Sequence, residues 1–417
     1  MTFERAPSSV LRQRLNESPH FMIVVAGPRQ VGKSTLVRRV LEGYPSAFVA
    51  ADQPLTELDP FAEGLEGVST SFGIPGESPT ADWLIQHWTQ ARAKARGLPE
   101  EQSFVLAIDE VQKVPRWSEV VKGLWDADRA AGLNLHVILL GSSPWLMQKG
   151  LTESLAGRYE LIPMTHWSYP EMQVAFDLSL DEYLYFGGYP GSAKLIREEP
   201  RWRSYIRGAL VHPNIEKDIL QMTRVDKPAL LKNLFELGCS YSGQIISYTK
   251  LMGQLQDAGN TVTLAHYLNL LTQAGLLTGL SKYAGEQHRQ RSSSPKLNAL
   301  NTALISALSG YSFAEARADR SHWGRLVESA VGAHLCNTAT DNCQVQYWRE
   351  SPDEVDFVLN DGRRLLAIEV KSGTTYATPK GLGVFSGKYR QARQLIVGEG
   401  GIALPEFLAH PAGHWLE

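Results

Sequence analysis

The chain has 417 residues, 43% of them hydrophobic and 20% charged, with a formal net charge of −3. That balance describes ordinary globular domains, excludes a fibrous or disordered chain, and excludes a polycation built to coat nucleic acid. At roughly 150 residues per domain the length suggests two to three domains, with room for more than one core.

Cys239, Cys336 and Cys343 lack the spacing of a zinc knuckle or a CxxC pair. So few thiols suit a reducing compartment. The first residues, MTFERAPSSVLRQRL, hold no apolar core of signal-peptide length. No run approaches the ~18 apolar residues that a membrane span needs. The expectation is a soluble, cytoplasmic protein without membrane contact.

FMIVVAG, from Phe21 to Gly27, is a continuous apolar run of the kind buried on both faces of a parallel sheet. A glycine-containing turn follows, then STLVRRVLEG with helical spacing. AFVAAD (Ala47 to Asp52) reads as a second strand. DQPLTELDPFAEGLEGVSTSFGIPGESPT, rich in Gly, Pro, Ser and acid, reads as a long loop. The helix ADWLIQHWTQARAKARG leads to the strand FVLAIDE (Phe104 to Glu110). A helix around Trp117 to Ala131 leads to HVILLGSS (His136 to Ser143), and YELIPM (Tyr159 to Met164) reads as a fifth strand. Alternating strands and helices predict a doubly wound α/β domain with ligands at the carboxyl ends of its strands.

Beyond about Tyr169 the pattern turns helical. GGYPG interrupts it, and RWRSYIRGALVHPNIEKDIL reads as one long helix. Two amphipathic helices, Tyr248 to Gly259 and Val262 to Gly275, precede the strand LLTGLSKY, an order that suggests a winged-helix unit. HRQRSSSPK (His288 to Lys296) reads as a solvated basic loop. From about Ser321 a helix, HWGRLVESAVGAHL, is followed by strands.

GPRQVGKS, Gly27 to Ser34, satisfies GxxxxGK[ST] directly after a buried strand and directly before a helix. Glycines let backbone N–H groups curl around phosphate, and the helix N-terminus adds partial positive charge. The expected nucleotide contacts are Gly27, Pro28, Arg29, Gln30, Val31, Gly32, Lys33, Ser34 and Thr35. Lys33 would reach the β- and γ-phosphates of ATP, and the Ser34 hydroxyl would ligate Mg²⁺.

Asp109 closes the strand VLAID and would hold that Mg²⁺ as a Walker B carboxylate. Glu110 would polarise the attacking water. Ser142 or Ser143 in HVILLGSS could sense the γ-phosphate. Arg158 is read either as an arginine finger for a neighbouring subunit or as the partner of a local carboxylate.

GPRQVGKSTL, LAIDEVQ, LLGSS, ESLAGR and GGYP, in that order, resemble a large prokaryotic family of AAA-type ATP-binding proteins that carry a C-terminal domain of unknown function. The resemblance covers nearly the whole chain. In that family "KL" and an apolar-Asp-apolar stretch follow the winged-helix unit. Here SPKLNALNTALISAL has Asn301 where that Asp is expected, so the carboxylate's role is lost or moved.

A helix-turn-helix invites a DNA reading through its second helix. VTLAHYLNLLTQA contains no Lys or Arg, the residues that most often read guanine. A structural or protein-contact role is the favoured expectation, with a winged-helix transcriptional regulator as the rival.

Near the C-terminus, DFVL starts a strand with Asp356, NDG makes a tight turn, and LLAIEVK places Glu369 and Lys371 two apart on one face. Glu328 comes from the preceding helix. Glu328, Asp356, Glu369 and Lys371 resemble the catalytic quartet of the PD-(D/E)xK nuclease superfamily. That resemblance implies Mg²⁺ on Asp356 and Glu369, with the lysine beside the attacking water. The bland reading is a surface Glu–Lys pair on an edge strand.

The resulting expectation is an α/β multidomain chain. Residues 1–170 form a P-loop AAA-like ATPase domain, 171–300 a helical and winged-helix region, and 301–417 a restriction-endonuclease-like domain. It would bind and hydrolyse ATP with Mg²⁺ and bind or cleave DNA or RNA through the C-terminal domain. The alternative is a regulatory ATP-binding module whose silent C-terminal domain contacts a protein partner or a second copy of the chain.

Overall fold

The computed structural model describes residues 3–52, 79–142, 154–219, 225–256, 259–284, 293–340, 342–373 and 380–417. It divides into two compact units. One comprises Glu4–Gly27 and Gly32–Met164, and the other Met1–Phe3, Pro28–Val31 and Thr165–Glu417.

The first unit is built on a parallel sheet of five strands: β1 (Met22–Ala26), β2 (Ser46–Ala50), β3 (Phe104–Asp109), β4 (Leu135–Gly141) and β5 (Tyr159–Pro163). The spatial order is β2-β3-β4-β1-β5, every pair parallel. β1, β3 and β4 are buried along their whole length, which is why their sequences are largely apolar, with only His136 in β4 and the terminal Asp109 of β3 as polar exceptions. The helices Ala81–Arg96 and Trp117–Ala130 contribute Leu84, Trp88, Val121 and Trp125 to the core against the sheet. Trp88 Nε1 donates to Asp128 Oδ2 at 2.7 Å, and Arg92 Nε donates to Asp128 Oδ1 at 2.6 Å, so this buried carboxylate is fully engaged. The helix Pro7–Leu15 was not foreseen, because its sequence is mostly polar. Residues 53–78, within the expected long loop, lie outside the described residues.

The second unit starts with helices. RWRSYIRGALVHPNIEKDIL is not one regular helix: Glu199–Tyr205 is α-helical, and Ile206–Val211 and Asn214–Ile219 are π-helical. A 3.6-residue periodicity cannot distinguish these from an α-helix. Helices Pro228–Ser240, Tyr248–Met252 and Thr261–Gln273 precede a two-stranded antiparallel ladder of β6 (Leu277–Leu280) and β7 (Lys296–Ala299). The first amphipathic helix is thus shorter than expected. In Thr261–Gln273 the residues Leu264, Tyr267, Leu268, Leu270 and Leu271 are buried.

The helix Arg320–Thr338 leads to a four-stranded sheet of β8 (Gln344–Glu350), β9 (Asp353–Asn360), β10 (Leu365–Lys371) and β11 (Ala392–Gly398), in the order β11-β10-β9-β8. β8, β9 and β10 are antiparallel neighbours; β11 joins β10 in parallel after the helix Lys380–Lys388. Val331 and Leu335 pack with Phe357, Leu359, Leu366 and Ile368, while Leu382 and Phe385 pack with Val358, Leu365 and Ala367. The sheet is therefore covered on both faces.

Candidate functional site

The order β2-β3-β4-β1-β5 puts the carboxyl ends of β3, β4 and β1 side by side. Gly27 follows β1, Asp109 ends β3, and Ser142 follows β4. Gly27 can only be glycine: a Cβ there would stand 1.8 Å from the carbonyl oxygen of Met164. Gly32 caps the helix Lys33–Leu41 with φ of 88°, a left-handed conformation that suits glycine. Lys33 is buried, and its Nζ donates to the Gly27 carbonyl at 2.9 Å.

Ser34 Oγ donates to Asp109 Oδ2 at 2.5 Å, and Asp109 Oδ1 accepts from the Glu110 backbone N–H at 3.0 Å. Burial raises the Asp109 carboxyl above its usual range, against the hydrogen bond from Ser34. Glu110 has φ of 52°, an uncommon conformation for a non-glycine residue that costs on the order of 1 kcal/mol or more. Its carboxylate accepts from Ser142 Oγ at 2.9 Å and from Gln112 Nε2. Two hard oxygen donors, Ser34 and Asp109, thus meet beside the phosphate loop and suit Mg²⁺ once nucleotide supplies further oxygens. Thr35 is exposed in the same helical turn.

Among the remaining loop residues, Val31 O accepts from Trp167 Nε1 at 2.9 Å. Gln30 is left-handed with φ of 62°. Ser143 lies outside the described residues. Arg158 pairs with Asp126 through two bonds, 2.7 and 3.0 Å, so it has the local partner that one of the two readings anticipated.

A glycine-bearing turn between a buried parallel strand and a helix, beside a strand-end aspartate, is the arrangement of P-loop nucleotide-binding domains, and residues 19–173 match a family model described as an AAA domain. More particularly, residues 177–315 and 323–406 match two further families, each described as a domain of unknown function. Uncharacterized proteins of Mycobacterium tuberculosis and Mycobacterium bovis are each 26% identical to the chain over 380 residues, covering 90% of this chain and 75% of their own length. Among solved structures, the Aeropyrum pernix Orc1 protein in complex with DNA aligns at 13% identity over 76% of this chain and 94% of its own, with a TM-score of 0.30. A likeness that remote carries no weight for fold or function.

The second candidate site lies where β9 and β10 face the helix Arg320–Thr338. Lys371 Nζ donates to Glu369 Oε1 at 2.7 Å, and Asp356 Oδ2 accepts from the Val370 backbone N–H at 2.9 Å. Glu328 does not pair with Lys371. Its partner is Lys296, whose Nζ lies 2.6 Å from Glu328 Oε1 and 3.5 Å from Asp356 Oδ1.

Lys296 does not belong to a solvated loop; it is the first residue of β7 and is fully buried, at 0% exposure. Arg289 and Arg291, the other cations of that segment, lie outside the described residues. A polar run, HRQRSSSP, precedes Lys296 and hides its burial from the sequence pattern. Its partners are 32 and 60 positions away, so only its place ahead of the apolar residues of LNAL could have flagged it.

Burial raises the Glu328 carboxyl, with the Asp356 charge adding to it and Lys296 opposing. Burial likewise raises Glu369, again with help from Asp356. Glu369 Oε2 is buried without a hydrogen-bond partner. Among the described residues, no group of three or more His, Cys, Asp or Glu side chains is placed to hold a metal ion. Asp356 and Glu369 therefore do not fit a divalent ion as arranged: an ammonium already stands among the carboxylates.

Asn301, where the sequence resemblance leads one to expect aspartate, is structural. Its Oδ1 accepts from the backbone N–H of Gly188 at 3.2 Å and of Ala303 at 3.1 Å, and its Nδ2 lies 3.2 Å from His166 Nδ1. Among the described residues, no helix is long and apolar enough to cross a membrane.

Proposed function

We propose that the chain hydrolyses ATP with Mg²⁺ at the Gly27–Thr35 loop and couples turnover to its C-terminal residues, 301–417. The observation that carries the reading is the joined pair of contacts Ser34–Asp109 and Glu110–Ser142 at adjacent strand ends. Ser34 and Asp109 would hold Mg²⁺, which neutralises phosphate charge when bound with nucleotide. Lys33 would exchange the Gly27 carbonyl for phosphate oxygens. Glu110, held by Ser142, would orient the water for in-line attack, and Ser142 would register loss of the γ-phosphate.

For the C-terminal residues two readings stand. Glu328, Asp356, Glu369 and Lys371 come from a helix and two adjacent strands, which supports a nuclease-like centre with DNA or RNA as partner. Lys296 among those acids favours the second reading, a regulatory ATPase whose C-terminal domain contacts protein without cutting nucleic acid. The buried leucine and tyrosine face of Thr261–Gln273 supports a packing role for that helix over base readout.

The test of the hydrolytic site is Glu110→Gln. It should bind ATP like the wild type but release phosphate slower by about 100-fold or more, the usual range for loss of a general base. Unchanged turnover would refute the role given to Glu110.

A further inference from the structure

Lys296 lies 2.6 Å from Glu328 Oε1, 3.5 Å from Asp356 Oδ1 and 3.9 Å from Glu354 Oε1. Its Nζ also donates to the Asp356 backbone carbonyl at 3.1 Å and stands 4.8 Å from the centre of the Phe357 ring. An ammonium has three N–H donors. Here the Glu328 carboxylate and the Asp356 carbonyl lie within hydrogen-bond distance and the Asp356 carboxylate adds an ion pair, oxygen types that a hard divalent cation would take.

The strand holding Lys296 is tied on both sides. It pairs with Leu280 of β6, and its other edge bridges to Ile245. Leu297 exchanges backbone hydrogen bonds with Gly243 and Gln244, 2.8 and 3.0 Å long. Tyr347 Oη donates to the Ser294 carbonyl at 2.5 Å, just ahead of the strand. The ammonium is thus held from its backbone outward, and a rotamer change alone does not remove the chain that delivers it.

We propose that Lys296 is the resident cation of the C-terminal carboxylate centre: it takes the place of a divalent metal on Glu328 and Asp356 and closes the centre to Mg²⁺ while β7 is in position. The lysine comes from the segment matching one domain of unknown function, residues 177–315. Glu328 and Asp356 come from the segment matching the other, residues 323–406. The centre is therefore completed by a second segment of the chain. This inference rests on the C-terminal half of the functional reading and is independent of the ATPase half.

The test is Mn²⁺ binding to the full chain without nucleotide, followed by electron paramagnetic resonance. Asp356→Asn reports what binds elsewhere, including the phosphate loop. The wild type should take up no Mn²⁺ that Asp356→Asn abolishes. Lys296→Met, similar in length and uncharged, leaves two buried carboxylates without their partner. It should gain one site at least about tenfold tighter than any in the wild type, since an uncompensated buried charge is strongly unfavourable. Lys296→Met/Asp356→Asn should lose that site.

A wild-type site removed by Asp356→Asn would overturn the proposal, as would folded Lys296→Met with no gain. If Lys296→Met does not fold, the wild-type titration decides alone: uptake at the centre overturns the proposal, and its absence supports it. ATP hydrolysis is measured separately, so failure of either half can be recognised.

Discussion

Replacing Asn301 tests how the second unit is held together around its helices. Asn301 is 4% exposed and serves as the N-cap of the helix Thr302–Leu308. His166 Nε2 lies 2.7 Å from the Gly275 carbonyl, and a carbonyl only accepts, so Nε2 carries the proton and Nδ1 accepts from Asn301 Nδ2. Asn301→Ala removes the acceptor of the Gly188 and Ala303 N–H groups and the donor to His166. Access is tight, since a Cβ on Gly187 would already stand 2.1 Å from Asn301 Oδ1. Two buried N–H groups lose their acceptor at about 1–3 kcal/mol each, so the loss should be about 2–6 kcal/mol.

The assay is urea unfolding of the full chain, followed by tryptophan fluorescence and resolved into its transitions. Asn301→Asp separates the contributions. It keeps both acceptor bonds but turns a lone pair toward His166 Nδ1, so it should fall between the wild type and Asn301→Ala in stability. A loss below about 1 kcal/mol in Asn301→Ala, or an Asn301→Asp variant no more stable than Asn301→Ala, would refute the network.

His136, in β4, is pushed down from 6.5 to about 4, by burial first and by the Arg129 charge second. Between those values the unfolded chain binds a proton that the folded chain does not. Stability is therefore complete above about pH 6.5 and falls as pH drops toward 4, by about 3 kcal/mol in all; His136→Leu should flatten that part of a pH–stability profile. Asp128 is 3% exposed and accepts from Trp88 and Arg92. Asp128→Ala should cost the first unit about 3–5 kcal/mol in the same urea assay, because it leaves the buried Trp88 indole N–H without its acceptor and Arg92 without its counter-charge.

What the sequence made legible follows the range of the interactions. The phosphate loop is a local object, eight residues between a buried strand and a helix, so its placement could be anticipated from residues in contact along the chain. Asp109 and Ser142 were locatable because each ends an apolar run, and such runs become neighbouring parallel strands. The hairpin of β9 and β10 was likewise announced by NDG and by alternation. Lys296 was misread because no local pattern distinguishes a solvated lysine from one buried against acids contributed by a distant helix and strand. The π-helical turns after Tyr205 leave no signal because each is only about one turn long within a helical run, too short for its wider spacing to shift the apolar periodicity.

The most direct test of the account is steady-state phosphate release from Mg²⁺-ATP by the wild type and by Lys33→Ala, measured side by side. The wild type should turn over ATP, and Lys33→Ala, lacking the ammonium that now rests on the Gly27 carbonyl, should fall to background. Turnover by Lys33→Ala equal to the wild type, or none by the wild type, would contradict the assignment of this site.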